Sequence, residues 1–187
     1  MSTDGSALAE GFYWYGEKLM WGYEDIEPDA AEALKFFRQA AELGFSDAYI
    51  RIGELYQHGK GVERDSKSAL ANFSKAAKAG NWLGIAYLAI LVGRSRQADQ
   101  ADALWDRFFA ALDAASSWPF AAASAGEILH RYIEEQLRIG AEPKHLDTLK
   151  RHRSDVMAYH QNVLEHARGE ERLRRFGAVS GWISSTM

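Results

Sequence analysis

The chain contains no cysteine, so disulfides and thiolate zinc sites are excluded outright. Proline is scarce: Pro28, Pro119 and Pro143 are the only three, and each falls near an expected helix start, where a missing N–H costs little. No stretch approaches the roughly 18 apolar residues of a membrane span. Charge of one sign is lacking too. A formal net charge of −4 over 187 residues is too weak a field to point to nucleic acid or an anionic membrane as partner. Met1 to Glu10 has no basic region leading into an apolar run, so no secretory leader is read and a cytoplasmic location is expected. No Gly-x-Ser-x-Gly elbow or phosphate-cradling loop is present.

What is present is enough apolar material for a core: hydrophobic residues make up 47% of the chain. Alanine is abundant, β-branched runs are rare, and apolar positions recur at i, i+3, i+4 and i+7. The fold class expected is all-α.

The chain also repeats itself, about every 36 residues. Asp29, Ala33, Leu34, Phe37, Ala40-Ala41 and Gly44 recur as Asp65, Ala69, Leu70, Phe73, Ala76-Ala77 and Gly80. Upstream of each block, Tyr15-Gly16-Glu17-Lys18-Leu19-Met20-Trp21-Gly22 parallels Ile52-Gly53-Glu54-Leu55-Tyr56-Gln57-His58-Gly59. A period of this length marks a solenoid, in which each helix pair buries its apolar face only against its neighbours. The pairs are read as Ala7–Trp21 with Asp29–Leu43, and Ser46–His58 with Asp65–Ala79. Asp29 and Asp65 are placed to accept a bond from an orphan helix N–H. Glu32, three residues after Asp29, suggests a capping box, and Gly44 and Gly80 suit left-handed C-terminal caps. Phe37, Phe73, Ala40 and Ala76 are expected between helices, and the paired glycines Gly16 and Gly53 at a close helix contact.

The segment Ile52-Gly53-Glu54-Leu55-Tyr56-Gln57-His58-Gly59-Lys60-Gly61-Val62-Glu63-Arg64-Asp65, followed by Ala69, Phe73, Lys75-Ala76-Ala77 and Gly80, resembles the Sel-one-like repeat family, a relative of the tetratricopeptide repeats. The Gly-x-Gly-Val turn is the specific part. The first turn, Gly22 to Asp29, departs from it by being one residue longer and lacking the second glycine. The resemblance implies an α-solenoid of about three to four helix-turn-helix repeats with an atypical helical C-terminal cap. The organisation expected is a solenoid over 1–135, with clear repeats at about 10–44 and 45–80 and degraded units over 81–135. A cap and tail follow over 136–187. The third unit is read from Trp82 to about Ala114 and a further first helix after Pro119. A long amphipathic helix is read from Pro143 to His166 and could end at Gly169. A charged segment runs over Glu170–Phe176, and Trp182 and Ile183 are placed to anchor the end.

Each chemical motif has a plainer reading beside it. His145, His152, His160 and His166 would lie within about 120° on the C-terminal helix at 100° per residue. None has the i, i+3 or i, i+4 spacing that brings two imidazoles to one ion, so packed or boundary histidines are expected and no metal. The carboxylate pairs Glu24-Asp25, Glu134-Glu135 and Glu170-Glu171 are read as solvated charge rather than an acid–base site. Gly59-x-Gly61 follows a helix, not a strand, and is read as a repeat turn. Phe12-Tyr13-Trp14-Tyr15 span about 300° of a helix. Some of Tyr13, Trp14 and Trp21 are therefore expected at the surface, where large aromatics favour partner contact.

The resemblance implies a scaffold or adaptor, typically bacterial, that binds another protein or peptide without cofactors. An immunity protein that neutralises a toxin by direct binding is a more specific version. Hydrolase activity has been claimed for some cysteine-rich relatives. This chain lacks those cysteines and shows no nucleophile–base pair, so an enzyme is not expected. In the family the first helix of each pair lines the concave side, and its variable positions are free to specify a ligand. Here those are Trp14, Lys18 and Trp21, then Tyr49, Glu54 and His58, then Trp82 and Tyr87.

Overall fold

The computed structural model describes residues 3–23, 25–94, 98–114, 121–141, 144–152, 156–158, 161 and 182–186. Its helices are α1 (Thr3–Trp21), α2 (Ala30–Glu42), α3 (Ser46–His58), α4 (Ser66–Lys78), α5 (Trp82–Arg94), α6 (Ala98–Ala114), α7 (Ala121–Arg138) and α8 (Leu146–Arg151). The one β-type contact among the described residues is an isolated bridge, Tyr23 to Ile26, inside the first turn. The chain divides into two compact units, 1–108 and 109–187, with the division inside α6.

In the first unit α1 packs on α2 and α3 on α4, and the pairs join through α2 against α3 and α4 against α5. The caps follow from the sequence. Asp29 accepts from the backbone N–H of Ala31 at 3.0 Å and Glu32 at 2.9 Å, and Asp65 from that of Lys67 at 2.9 Å. The expected capping box at Asp29 does not close. The Asp29 N–H instead donates to the Leu19 carbonyl at 2.7 Å, and Glu32 pairs with Lys35 at 2.6 Å. Repeat two does the same with its backbone: the Asp65 N–H donates to the Tyr56 carbonyl at 3.0 Å. The bond ties each second helix back to its first.

Both second helices end in a Schellman motif around a left-handed glycine. Phe45 N–H donates to Ala40 and Gly44 N–H to Ala41, both at 3.0 Å, with Gly44 at φ +89°. Asn81, Gly80, Ala76 and Ala77 repeat the arrangement. The second glycine of the Gly-x-Gly turn has its own cause. A Cβ on Gly61 would lie 2.4 Å from the Ala31 backbone nitrogen, so the turn of repeat two rests on the start of α2.

The core is the small–large pattern of the repeat. Ala33, Phe37, Ala40, Ala69, Phe73 and Ala76 are fully buried. A Cβ on Gly16 would come within 2.7 Å of the Phe37 ring, and one on Gly53 within 2.5 Å of the Phe73 ring. The paired mid-helix glycines, expected at a close helix contact, are sockets for the paired phenylalanines.

In the second unit α7 buries Ile128, Leu129, Tyr132 and Ile133, and Leu149, Val156, Trp182 and Ile183 are buried too. The continuous helix expected from Pro143 to His166 is interrupted. His145 is left-handed at φ 60° and precedes α8, and His152 is its C-cap. His145 therefore cannot share a helical arc with the others. It stacks on Phe109 at 4.1 Å, a packed histidine. Pro119, Pro143, His160, His166, Gly169, Glu24 and the segment Glu170–Phe176 lie outside the described residues.

Candidate protein-binding surface

The residues singled out from the sequence fall on three different surfaces. Tyr49 sits on the face of α3 that rises between α2 and α4. A groove of about 360 Å3 opens there, lined by Arg38, Ala41, Glu42, Tyr49, Ile52, Tyr56, Ser68, Ala71, Asn72 and Lys75. The Tyr49 hydroxyl donates to the Ala41 carbonyl at 3.1 Å, and Lys75 Nζ lies 5.5 Å from its ring centre. Arg38 Nη2 donates to the Tyr56 hydroxyl at 2.8 Å, which fixes the guanidinium over the groove. A second hollow continues past Arg38, Tyr56 and Ser68 to Val62 and Arg64. Tyr49 and Tyr56 share this face because seven residues are nearly two helical turns.

Glu54 and Tyr87 lie elsewhere, joined to each other. Arg51 bridges two helices: its Nε is 2.7 Å from Glu17 Oε1 on α1, and its Nη1 donates to Glu54 Oε2 at 2.9 Å. The Tyr87 hydroxyl on α5 donates to Glu54 Oε1 at 2.8 Å. Gly16 and Gly53 fix the repeat register, in which Glu17 and Glu54 are equivalent positions. Each accepts from the first helix of the next repeat, so the contacts form a ladder across α1, α3 and α5. Tyr87 is also stacked on Phe73 at 4.8 Å. Burial opposes the Arg51 charge, but Glu54, Tyr13 and Glu17 override it and raise its pKa. Burial also pushes the Tyr13 phenol up to about 12, against the pull of Arg51.

The third surface is the outward side of α1. Trp14 and Trp21 are 49% and 61% exposed, while Tyr13 is buried, so the run of four aromatics divides between core and surface as expected. Lys18 lies 4.8 Å over the Tyr23 ring and Lys60 lies 5.1 Å over that of Trp21. His58 is exposed in the last turn of α3. Trp82 packs 5.9 Å from Phe108 within the third helix pair. The sequence reading missed Arg38, Tyr56 and Lys75, because Tyr56 reads as a packing residue and the other two belong to second helices.

Among the described residues, no three His, Asp or Glu side chains converge as a metal site would require. No described helix is long and apolar enough to cross a membrane.

Residues 8–45 and 46–81 each match the Sel1 repeat family. No curated protein matches the chain in sequence. Among solved structures, a Sel1 repeat protein from Oxalobacter formigenes is similar at a TM-score of 0.56 and 22% identity, covering 80% of this chain. A protective antigen of uropathogenic Escherichia coli strains, displaying an SLR fold, aligns at a TM-score of 0.48 and 16% identity over 95% of this chain. The chain spans 58% and 46% of the lengths of these two proteins. The sockets, Schellman caps and glycine turns of the first unit agree with the Sel1-repeat match over residues 8–81, and the described residues form an all-α fold.

Proposed function

We propose that this protein is a non-enzymatic scaffold or adaptor, and that the groove between α2, α3 and α4 receives an extended peptide or loop of a protein partner. Sel1 repeats generally mediate protein–protein interaction. The observation that carries the reading is the groove's make-up. Two half-buried tyrosines, Tyr49 and Tyr56, form its floor, and Arg38, Lys75 and Glu42 stand on its walls. Aromatic anchors with a charged rim are what a protein-binding patch needs. Glu54 and Tyr87 support the groove indirectly, because their ladder holds α3 against its neighbours.

The test is a photocrosslinking residue placed at Ala71 in the groove and, separately, at the exposed Arg107 on α6. A protein captured through position 71, not through 107, and lost in the Tyr49→Ala/Lys75→Glu variant supports the reading. Equal capture at both positions, or capture unaffected by the variant, would sink it.

A further inference from the structure

The outward face of α1 is rich in exposed apolar and aromatic side chains. Ala7, Gly11, Trp14, Lys18 and Trp21 are all exposed, and their spacing of four, three, four and three residues is that of a coiled-coil seam. Leu8 and Tyr15 flank the seam, 52% and 43% exposed. With Tyr23 these side chains present on the order of 500 Å2 of apolar and aromatic surface, taking 150–250 Å2 for each whole aromatic.

The repeat register says what such a face is for. Gly16 and Gly53 are equivalent, so Gly11, Tyr15 and Lys18 correspond to Ala48, Ile52 and Leu55, while Trp14 and Trp21 correspond to half-buried Arg51 and exposed His58. Ala48, Ile52 and Leu55 are at most 4% exposed, covered by the preceding helix pair. Gly11 is also a mid-helix glycine with no atom of the chain within 4 Å of its would-be Cβ, unlike Gly16 and Gly53. The first repeat thus carries an open packing face with room for a helix at Gly11.

We infer that a second copy of this chain covers that face, through antiparallel packing of α1 on α1 about a two-fold axis at Trp14. In that arrangement the seam is self-complementary. Two-fold symmetry at position 14 sets residue 7 against 21 and residue 10 against 18. Small Ala7 then meets large Trp21, and Glu10 meets Lys18, twice each. Glu10 also receives the Trp14 indole N–H at 3.2 Å, an exposed bond. The two copies together bury on the order of 1,000 Å2, the lower end for a specific interface, which suits a weak, reversible dimer. This surface is separate from the peptide groove, and the inference does not depend on it.

Sedimentation velocity of the full chain, from 1 to 200 µM, tests the assignment. The expected result is a rise from 20.9 kDa toward twice that mass. Lys18→Glu places two like-charged pairs across the axis and should raise Kd by at least tenfold. Glu10→Lys/Lys18→Glu restores both pairs and should return Kd to within about threefold of wild type. Circular dichroism confirms that each variant is folded, and Trp14→Ala gives an independent loss of dimer. A monomer at 200 µM overturns the proposal and leaves the face to a different protein. A dimer indifferent to Lys18→Glu and Trp14→Ala places the contact elsewhere. Loss in the single variant without rescue in the double overturns the antiparallel register.

Discussion

At the scale of single residues, the repeat is enforced by a glycine and a phenylalanine that act as one unit. Gly53 costs its helix about 1 kcal/mol in propensity relative to alanine. The same position gives the Phe73 ring its socket, and the ring cannot retreat easily because it is stacked on Tyr87 at 4.8 Å. Gly53→Ala should therefore destabilise the protein by about 1–3 kcal/mol through overpacking, despite the better helix former. Gly5→Ala, where nothing lies within 4 Å, should be neutral or slightly stabilising. Denaturant midpoints compare the two, and a stabilised Gly53→Ala variant would show that the socket does not constrain the ring. The pairing was legible in the sequence, because two glycines at one repeat position ask for one explanation. What the sequence did not show is which ring fills the space. It also gave no warning that His145 adopts a left-handed conformation, because the apolar spacing of Leu146 and Leu149 continues smoothly through it.

At the scale of elements, what joins neighbouring helix pairs is partly polar, and this was the least legible feature. Glu54 and Tyr87 read as variable ligand-facing positions and Arg51 stands out in no pattern, because a consensus marks what packs within a repeat and not what pairs between repeats. The structure joins them to Glu17 as a ladder. Arg51→Ala leaves two carboxylates without their cation. The Arg51 side chain is 30% exposed, so the loss should be about 1–3 kcal/mol, below the several kcal/mol of a fully buried pair. Tyr13 reports on the same contacts. Its phenol is pushed up to about 12 in the folded state, above the ordinary value near 10. The unfolded chain therefore gives up this proton more readily than the folded one. Its contribution to stability is complete below about pH 10 and is lost as the pH rises through the folded pKa. Absorbance titration near 295 nm, differenced against Tyr13→Phe, should show one late-titrating tyrosine, and Arg51→Ala should move it later still. A Tyr13 transition at the ordinary value would mean that the phenol is not buried between the helices.

At the scale of the whole molecule, helix pairs that touch only their neighbours make stability a sum of local terms. The division of the chain at 108/109 adds a second level, because each unit carries its own buried cluster. A cavity in one repeat should therefore not unfold everything at once. Phe73→Ala removes a fully buried ring from the second repeat, where it should cost about 3–5 kcal/mol. The six tryptophans are distributed well for following the consequence. Trp14 and Trp21 stand on α1, Trp82 begins α5, Trp105 lies on α6, and buried Trp182 belongs to the second unit. In the wild type, fluorotryptophan resonances followed through a denaturant series should shift within a narrow range. In Phe73→Ala the Trp14, Trp21 and Trp82 signals should reach their unfolded positions at lower denaturant, while Trp182 keeps its wild-type midpoint. One shared, lowered midpoint for all of them would show that the two units unfold as a single cooperative body. In that case a defect in the groove-bearing repeats would be felt throughout the chain.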